Sequence, residues 1–288
     1  MKRARVLAAC LAAAFLGLNV AAYREARSMT RANHKQNRQS PTDFGMTFET
    51  VTFPGARGVP VEAWLTRAPK SSGLVLLFHG YHDSKASLLP AASEFRHFGY
   101  DTLLVDFNGS GGSAGDETTV GYVEAEVVVE AVRWSRERFP GVRPILFGAS
   151  MGAAAVLRAV DALDVEARAV ILEAPFDRML CAVRHRLSRR GLPADPLAEF
   201  LLFWGGVQTH FNGFRHNPVE YARGVRCPAL LLFGDKDPNI SLAETEEIYG
   251  SLPAAKSLHV FHGAAHQLLA TARPTEWRGV VRAFLKSL

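Results

Sequence analysis

The chain has little cysteine. Its three thiols, Cys10, Cys181 and Cys227, cannot build a disulfide framework. Cys10 lies in an apolar run, so only Cys181 and Cys227 could pair, and two separate thiols are the simpler expectation. The body of the chain also lacks a dominant charge. Residues 1–45 carry eight Lys/Arg against two Asp/Glu, a balance of +6, and the remainder carries 25 against 26, a balance of −1. The net charge of +5 therefore belongs to the N-terminal segment, and nucleic-acid binding is not indicated. One basic cluster survives in the body, at Arg184, Arg186, Arg189 and Arg190. A solvated helix face explains it most simply; contact with an anionic substrate or lipid head group is the alternative. No internal repeat is visible.

Only one apolar run approaches the length of a membrane span. It extends from Val6 to Ala22 behind the basic start Met1-Lys2-Arg3-Ala4-Arg5. A basic end followed by an apolar core marks residues 1–22 as a signal anchor or a signal peptide. Its roughly 17 residues lie at the short limit for crossing a bilayer. An anchor is favoured, because Val20-Ala21-Ala22 offers only a weak cleavage site. Leu7-Ala8-Ala9-Cys10 looks like a lipoprotein box but comes too early in the run. Basic residues flank both ends, so charge counting does not fix orientation. The order of charges favours an extracytoplasmic body, anchored or exported. Residues 23–45, rich in Arg, Asn, Gln and Ser, read as a polar basic linker.

From residue 46 to 288, β-type and helical stretches alternate. Met46–Phe53 and Val59–Arg67 read as early strands around a Pro-Gly turn. Gly73–Phe78, Thr102–Phe107, Arg143–Phe147, Ala167–Leu172 and Ala229–Phe233 are continuous apolar strands, and Ser257–Phe261 is one more. Helices are expected over Ser87–Phe98, Val120–Phe139, Met151–Leu163, Leu242–Leu252 and Pro274–Leu288. Apolar strands interleaved with helices imply an α/β fold with a mostly parallel sheet, covered by helices on both faces. Reactive groups in such a sheet belong just beyond the carboxyl ends of the strands. Residues 176–223 interrupt the alternation with helical pieces and aromatics, and read as a cap over that end.

The chemistry concentrates at three strand ends. Pro144-Ile145-Leu146-Phe147-Gly148-Ala149-Ser150-Met151-Gly152 runs a strand into a G-x-S-x-G and then into an Ala-rich helix. That is the layout of a nucleophile elbow, in which small residues let strand and helix backbones meet beneath an exposed serine. A second G-x-S-x-G, Gly111-Gly112-Ser113-Ala114-Gly115, lies inside a Gly-rich loop with no helix leaving it, so Ser150 is preferred to Ser113. A serine hydroxyl needs a base and a group to orient that base. Leu231-Leu232-Phe233-Gly234-Asp235-Lys236-Asp237 ends a strand with two carboxylates. Phe261-His262-Gly263-Ala264-Ala265-His266 ends another with two imidazoles. The two histidines are four apart, but no glutamate and no helix pattern accompany them, so a zinc pair is not expected.

Strand-end serine, acid and histidine in that order resemble the α/β-hydrolase superfamily over residues 46–288. The resemblance implies an eight-stranded, mostly parallel sheet with a helical cap insertion. In the family's G-x-x-D pattern the acid is Asp237 rather than Asp235, and the histidine closing the Gly-containing loop is His266 rather than His262. Glu173, one strand earlier, is a minor alternative acid. The oxyanion hole would use the backbone N–H of Met151 and, through the H-G-x match at His79-Gly80-Tyr81, that of Tyr81. His79 reads as a loop-structuring residue. Asp106-Phe107-Asn108-Gly109-Ser110-Gly111-Gly112-Ser113 is similar to the family's D-x-R-G-x-G-x-S loop, with Asn108 where Arg is usual. The expectation is a serine hydrolase that cleaves a carboxylic ester or related acyl bond through Ser150, His266 and Asp237, with no metal or organic cofactor. Its partners would be a small, apolar acyl substrate and, through the N-terminal segment, a membrane. The alternatives are a small-peptide peptidase of the same fold and a non-catalytic, membrane-tethered binding protein.

Overall fold

The computed structural model describes residues 2–288. In chain order its elements are α1 (Lys2–Thr30), β1 (Phe48–Pro54), β2 (Pro60–Thr66), β3 (Leu74–Phe78), α2 (Leu89–His97), β4 (Asp101–Val105) and α3 (Glu124–Arg138). Then follow β5 (Ile145–Ala149), α4 (Met151–Ala162), β6 (Ala169–Glu173), α5 (Met179–Arg189), α6 (Leu197–Thr209) and α7 (Pro218–Tyr221). The chain closes with β7 (Ala229–Gly234), α8 (Leu242–Ser251), β8 (Lys256–Phe261), α9 (Leu269–Ala272) and α10 (Pro274–Lys286). The strands form one sheet in the order β1-β2-β4-β3-β5-β6-β7-β8. It is mixed: β1–β2 and β2–β4 pair antiparallel, and every other neighbouring pair is parallel.

Every residue of β3, β4, β5, β6 and β7 is buried. Helices on both faces cause this, and it is why the strands carry unbroken apolar runs instead of an alternating pattern. On one face α3 and α4 contribute Val127, Val128, Ala131, Val156 and Leu157 to the core. On the other, α2 and α10 contribute Leu89, Phe95, Trp277 and Val281. Trp277 is fully buried and meets Phe95 edge-on at 5.5 Å between centroids. No strand lies between β6 and β7; helices α5, α6 and α7 occupy that interval, as the break in alternation implies.

Two local expectations change. Helix α3 starts at Glu124 rather than Val120, because Val120 and Gly121 both have positive φ, 55° and 109°, which a right-handed helix cannot contain. Residues 23–30 are helical, where the polar composition suggested linker. They continue α1, whose Ala22, Ala26 and Thr30 are buried at a spacing of four. Helix α1 packs on α6, and Ala22 and Ala26 join a third apolar cluster with Phe176, Met179, Leu201 and Leu202. The polar side chains that suggested a linker point away and find partners, as in the Arg27–Glu117 ion pair at 2.6 Å. Residues 31–37 then run along the strand ends and bond to the loop after β4, with Ala32 N–H on Asp116 and Gly111 N–H on Lys35.

Candidate active site

The β5–α4 junction is built from contacts that admit no side chain. A Cβ on Gly148 would stand 2.5 Å from the Gly152 carbonyl oxygen, and one on Gly152 would stand 2.3 Å from the Phe78 carbonyl oxygen. Strand β5, helix α4 and the end of β3 therefore touch backbone to backbone. Ser150, between them, is held at φ 51° and ψ −112°. This is a strained conformation for a residue with a side chain, and it persists only where the surroundings impose it. Part of that restraint is the hydrogen bond from Ser150 N–H to the Glu173 carbonyl, 2.7 Å. Met151 is the first residue of α4, so its N–H precedes the intrahelical ladder and is free to face a ligand.

The turn brings Ser150 to His266. Ser150 Oγ lies 3.1 Å from His266 Nε2, and His266 Nδ1 lies 2.5 Å from Asp237 Oδ2. The other oxygen of Asp237 accepts the N–H groups of Asn239 (2.8 Å) and Ile240 (3.1 Å). Its carboxylate has no solvent exposure and the imidazole is 25% exposed. With Asp237 accepting at Nδ1, the imidazole presents Nε2 as the acceptor toward the serine hydroxyl. The three groups come from the ends of β5, β7 and β8, which the parallel sheet brings to one edge.

The alternatives separate cleanly. The Ser113 hydroxyl donates to the Asp106 carbonyl and accepts from Glu62 N–H, both at 2.8 Å, so it serves the loop after β4. His262 is exposed and pairs with Asp235 at 3.1 Å on the rim. That hydrogen bond, reinforced by the Gly263 N–H, holds the Asp235 carboxyl below its ordinary value. Glu173 bonds to groups other than His266. Its carboxyl accepts Leu269 N–H (2.7 Å) and Trp277 Nε1–H (3.3 Å), and burial raises its pKa to about 7. His79 is completely buried; its Nε2 accepts Phe107 N–H at 3.1 Å and its Nδ1–H donates to the Gly80 carbonyl at 2.8 Å. Burial lowers its pKa, which keeps it neutral as this bonding requires. It thereby ties the Gly80-Tyr81 loop to the loop after β4. Asn108 also works structurally: its side chain accepts Ala56 N–H and donates to the Val59 carbonyl, both at 3.0 Å, and so pins the β1–β2 turn.

Ser150, His266, Gly80 and Tyr81 line a cavity of about 630 Å³. Its floor is the strand-end edge of the sheet and its roof comes from α5 and α6, including Met179, Val183, Leu201 and Leu202. Ala26, Met29 and Thr30 of α1 complete the wall, and the Tyr81 hydroxyl donates to the Met29 carbonyl at 2.6 Å.

Residues 69–187 match the family described as "Serine aminopeptidase, S33". Among solved structures, the Pyrococcus furiosus esterase Pf2001 superposes with a TM-score of 0.77 at 23% identity, covering 90% of this chain and 98% of that one. A protein described as a membrane phospholipase A and bacterial virulence factor superposes at 0.63 and 18% identity, covering 100% and 99%. The chain has the α/β-hydrolase fold. Among curated proteins, YqkD of Bacillus subtilis is 24% identical over 241 residues, 82% of this chain and 78% of that protein. Human ABHD12B is 24% identical over 217 residues, 69% of this chain and 56% of that protein.

Two parts of this site were not anticipated from sequence. The α1 wall was hidden because residues 23–30 look polar in composition, and only the spacing of Ala22, Ala26 and Thr30 betrays a buried face. The loop Thr118-Thr119-Val120 also lines the cavity. It is cradled by buried Glu124, which accepts from the Thr118 hydroxyl (2.6 Å), the Thr119 N–H (3.0 Å) and the Gly121 N–H (2.9 Å). Thr-Thr followed by a helix-initial Glu is the faint signal that could have found it.

Proposed function

We propose that this protein is a serine hydrolase that cleaves a carboxylic ester through an acyl-enzyme intermediate. The observation that carries the reading is the 3.1 Å approach of Ser150 Oγ to His266 Nε2 at a strained strand-to-helix turn. His266 Nε2 takes the hydroxyl proton as Ser150 attacks the acyl carbon. Asp237, bonded to Nδ1, holds the tautomer and stabilises the imidazolium that forms. The N–H groups of Met151 and Tyr81 receive the oxyanion. His266 then returns its proton to the leaving oxygen, the alcohol departs, and water repeats the sequence on the acyl-enzyme. The apolar roof of the cavity suits an apolar acyl part. The exposed first half of α1, with Val6, Leu7, Leu11, Phe15 and Leu16, acts as a membrane anchor in this reading; its apolar window has a mean hydropathy of 2.0.

The matched aminopeptidase family favours a second reading, hydrolysis of short peptides. A peptide amino terminus needs an unpaired carboxylate in the pocket. Of the acids lining the cavity, Asp83 is paired with Lys35 at 2.5 Å and Glu173 is bonded to Leu269 and Trp277. That disfavours the peptidase.

The test is labelling of the full chain, in mild detergent, by a small fluorophosphonate. Wild type and Ser113→Ala are expected to label, and Ser150→Ala to lose labelling. Persistent labelling of Ser150→Ala, or none in wild type, overturns the reading. The N-terminal helix has to be kept, because a chain starting at residue 40 lacks the α1 wall of the cavity.

A further inference from the structure

The basic cluster of α5 is not one solvated face. Arg184 pairs with Asp195 and Glu199 at 2.8 and 2.6 Å, Arg190 pairs with Glu25 at 2.5 Å, and Arg189 donates to Asn239. Arg186 differs. Among the described residues it has no ion pair and no hydrogen bond, and its Nε is buried without a partner. Met179, Val183 and Leu187 form the buried face of α5, and Arg186, three residues after Val183 and half-buried, lies at the edge of that face. Arg186 lines the cavity that holds Ser150 and His266, with its guanidinium 5.1 Å from the centre of the Tyr81 ring.

A half-buried cation in the cavity wall, with no carboxylate bonded to it, lacks the partner that normally offsets burial. The donors of a guanidinium fit the oxygens of phosphate or carboxylate. Around it, Met29, Phe176, Met179, Val183 and Leu201 supply an apolar surface. We infer that Arg186 is the anion-binding residue of the substrate pocket, and that the preferred substrate is an amphiphilic ester bearing a phosphate or carboxylate beside an apolar chain. This rests on the serine-hydrolase reading and names its substrate class. The same wall includes α1, so such an amphiphile would have a short path from a bilayer to Ser150. The wall is incomplete without that helix, which gives a reason for its extended packing on the body.

The test reads binding without turnover, using the full chain in nanodiscs of neutral phosphatidylcholine. Monohexyl phosphate, 1-hexanol and inorganic phosphate are titrated calorimetrically into wild type, Arg186→Gln and Arg186→Lys. Monohexyl phosphate is expected to bind wild type at least about 10-fold more tightly than either of the others. Arg186→Gln should weaken it about 10- to 100-fold, the range for a lost charge-assisted hydrogen bond. Arg186→Lys, which keeps the charge but not the fork, should retain part of the binding. Equal binding of monohexyl phosphate and hexanol overturns the inference. So does inorganic phosphate binding as tightly as the hexyl ester, which would make this a small-anion site. An unchanged affinity in Arg186→Gln also overturns it. Failure of fluorophosphonate labelling would count against Ser150 chemistry and leave these affinities interpretable.

Discussion

Glu173 links the sheet to the loop that carries His266, and its protonation should be visible in stability. It is buried at the end of β6, it accepts from Leu269 N–H and Trp277 Nε1–H, and burial raises its pKa from 4.5 to about 7. A carboxyl with a raised native pKa binds more protons folded than unfolded across that interval. Its contribution is therefore full below about pH 4.5 and is lost as pH rises through about 7. At about 1.4 kcal/mol per pH unit the interval corresponds to roughly 3 kcal/mol. For a chain of this length the unfolding entropy is about 0.6 kcal/mol/K, so the difference is roughly 5 °C in melting temperature. Glu173→Gln keeps the shape and removes the titration. His216 opposes this trend. It is buried against the Val120 carbonyl, burial lowers its pKa to about 3, and its contribution is lost as pH falls from 6.5 toward that value. Wild type alone is therefore uninformative, and the difference between the two proteins isolates Glu173. Melting curves by intrinsic tryptophan fluorescence, taken from pH 4.5 to 8, should show Glu173→Gln least favourable at the acid end. Its melting temperature should gain about 5 °C relative to wild type by pH 8. A melting-temperature difference that does not change with pH would refute the raised pKa of the buried Glu173 carboxyl.

Two further predictions follow from the site. Asp237→Asn should keep an oxygen toward the N–H groups of Asn239 and Ile240 and turn its amide toward His266, forcing the wrong imidazole tautomer. Hydrolysis of 4-nitrophenyl butyrate should fall about 10⁴-fold in kcat with little change in KM, as expected for loss of the orienting carboxylate. Gly152→Ala places a methyl 2.3 Å from the Phe78 carbonyl oxygen and 2.8 Å from that of His79. Neither is the end of a flexible side chain, so the expected cost is about 3 kcal/mol or more. Melting temperature and soluble yield measure it, and an unperturbed Gly152→Ala protein would contradict the tight backbone approach at the elbow.

The sheet was readable because its central strands are covered on both faces, and such strands must be apolar throughout. The strand-end rule then pointed to Ser150 and to the pairs Asp235/Asp237 and His262/His266, and the family resemblance chose Asp237 and His266. Tertiary structure decided what each of those side chains meets. It turned Asp237 inward onto two amides and His266, left His262 on the rim, used Ser113 to tie a loop, and directed Glu173 to Leu269 and Trp277. Composition misread residues 23–30, since an average over a segment hides one buried face among polar residues. The sequence also contained four arginines close together, but pairing is a property of space. Arg184, Arg189 and Arg190 have partners that are 11 to 165 residues away in the chain, and only the folded molecule leaves Arg186 unmatched. What the sequence determined by itself was the order of strands and helices and the residue types at strand ends, because local patterning encodes both. What the tertiary structure decided was which polar groups face one another, because that depends on contacts between segments far apart in the chain.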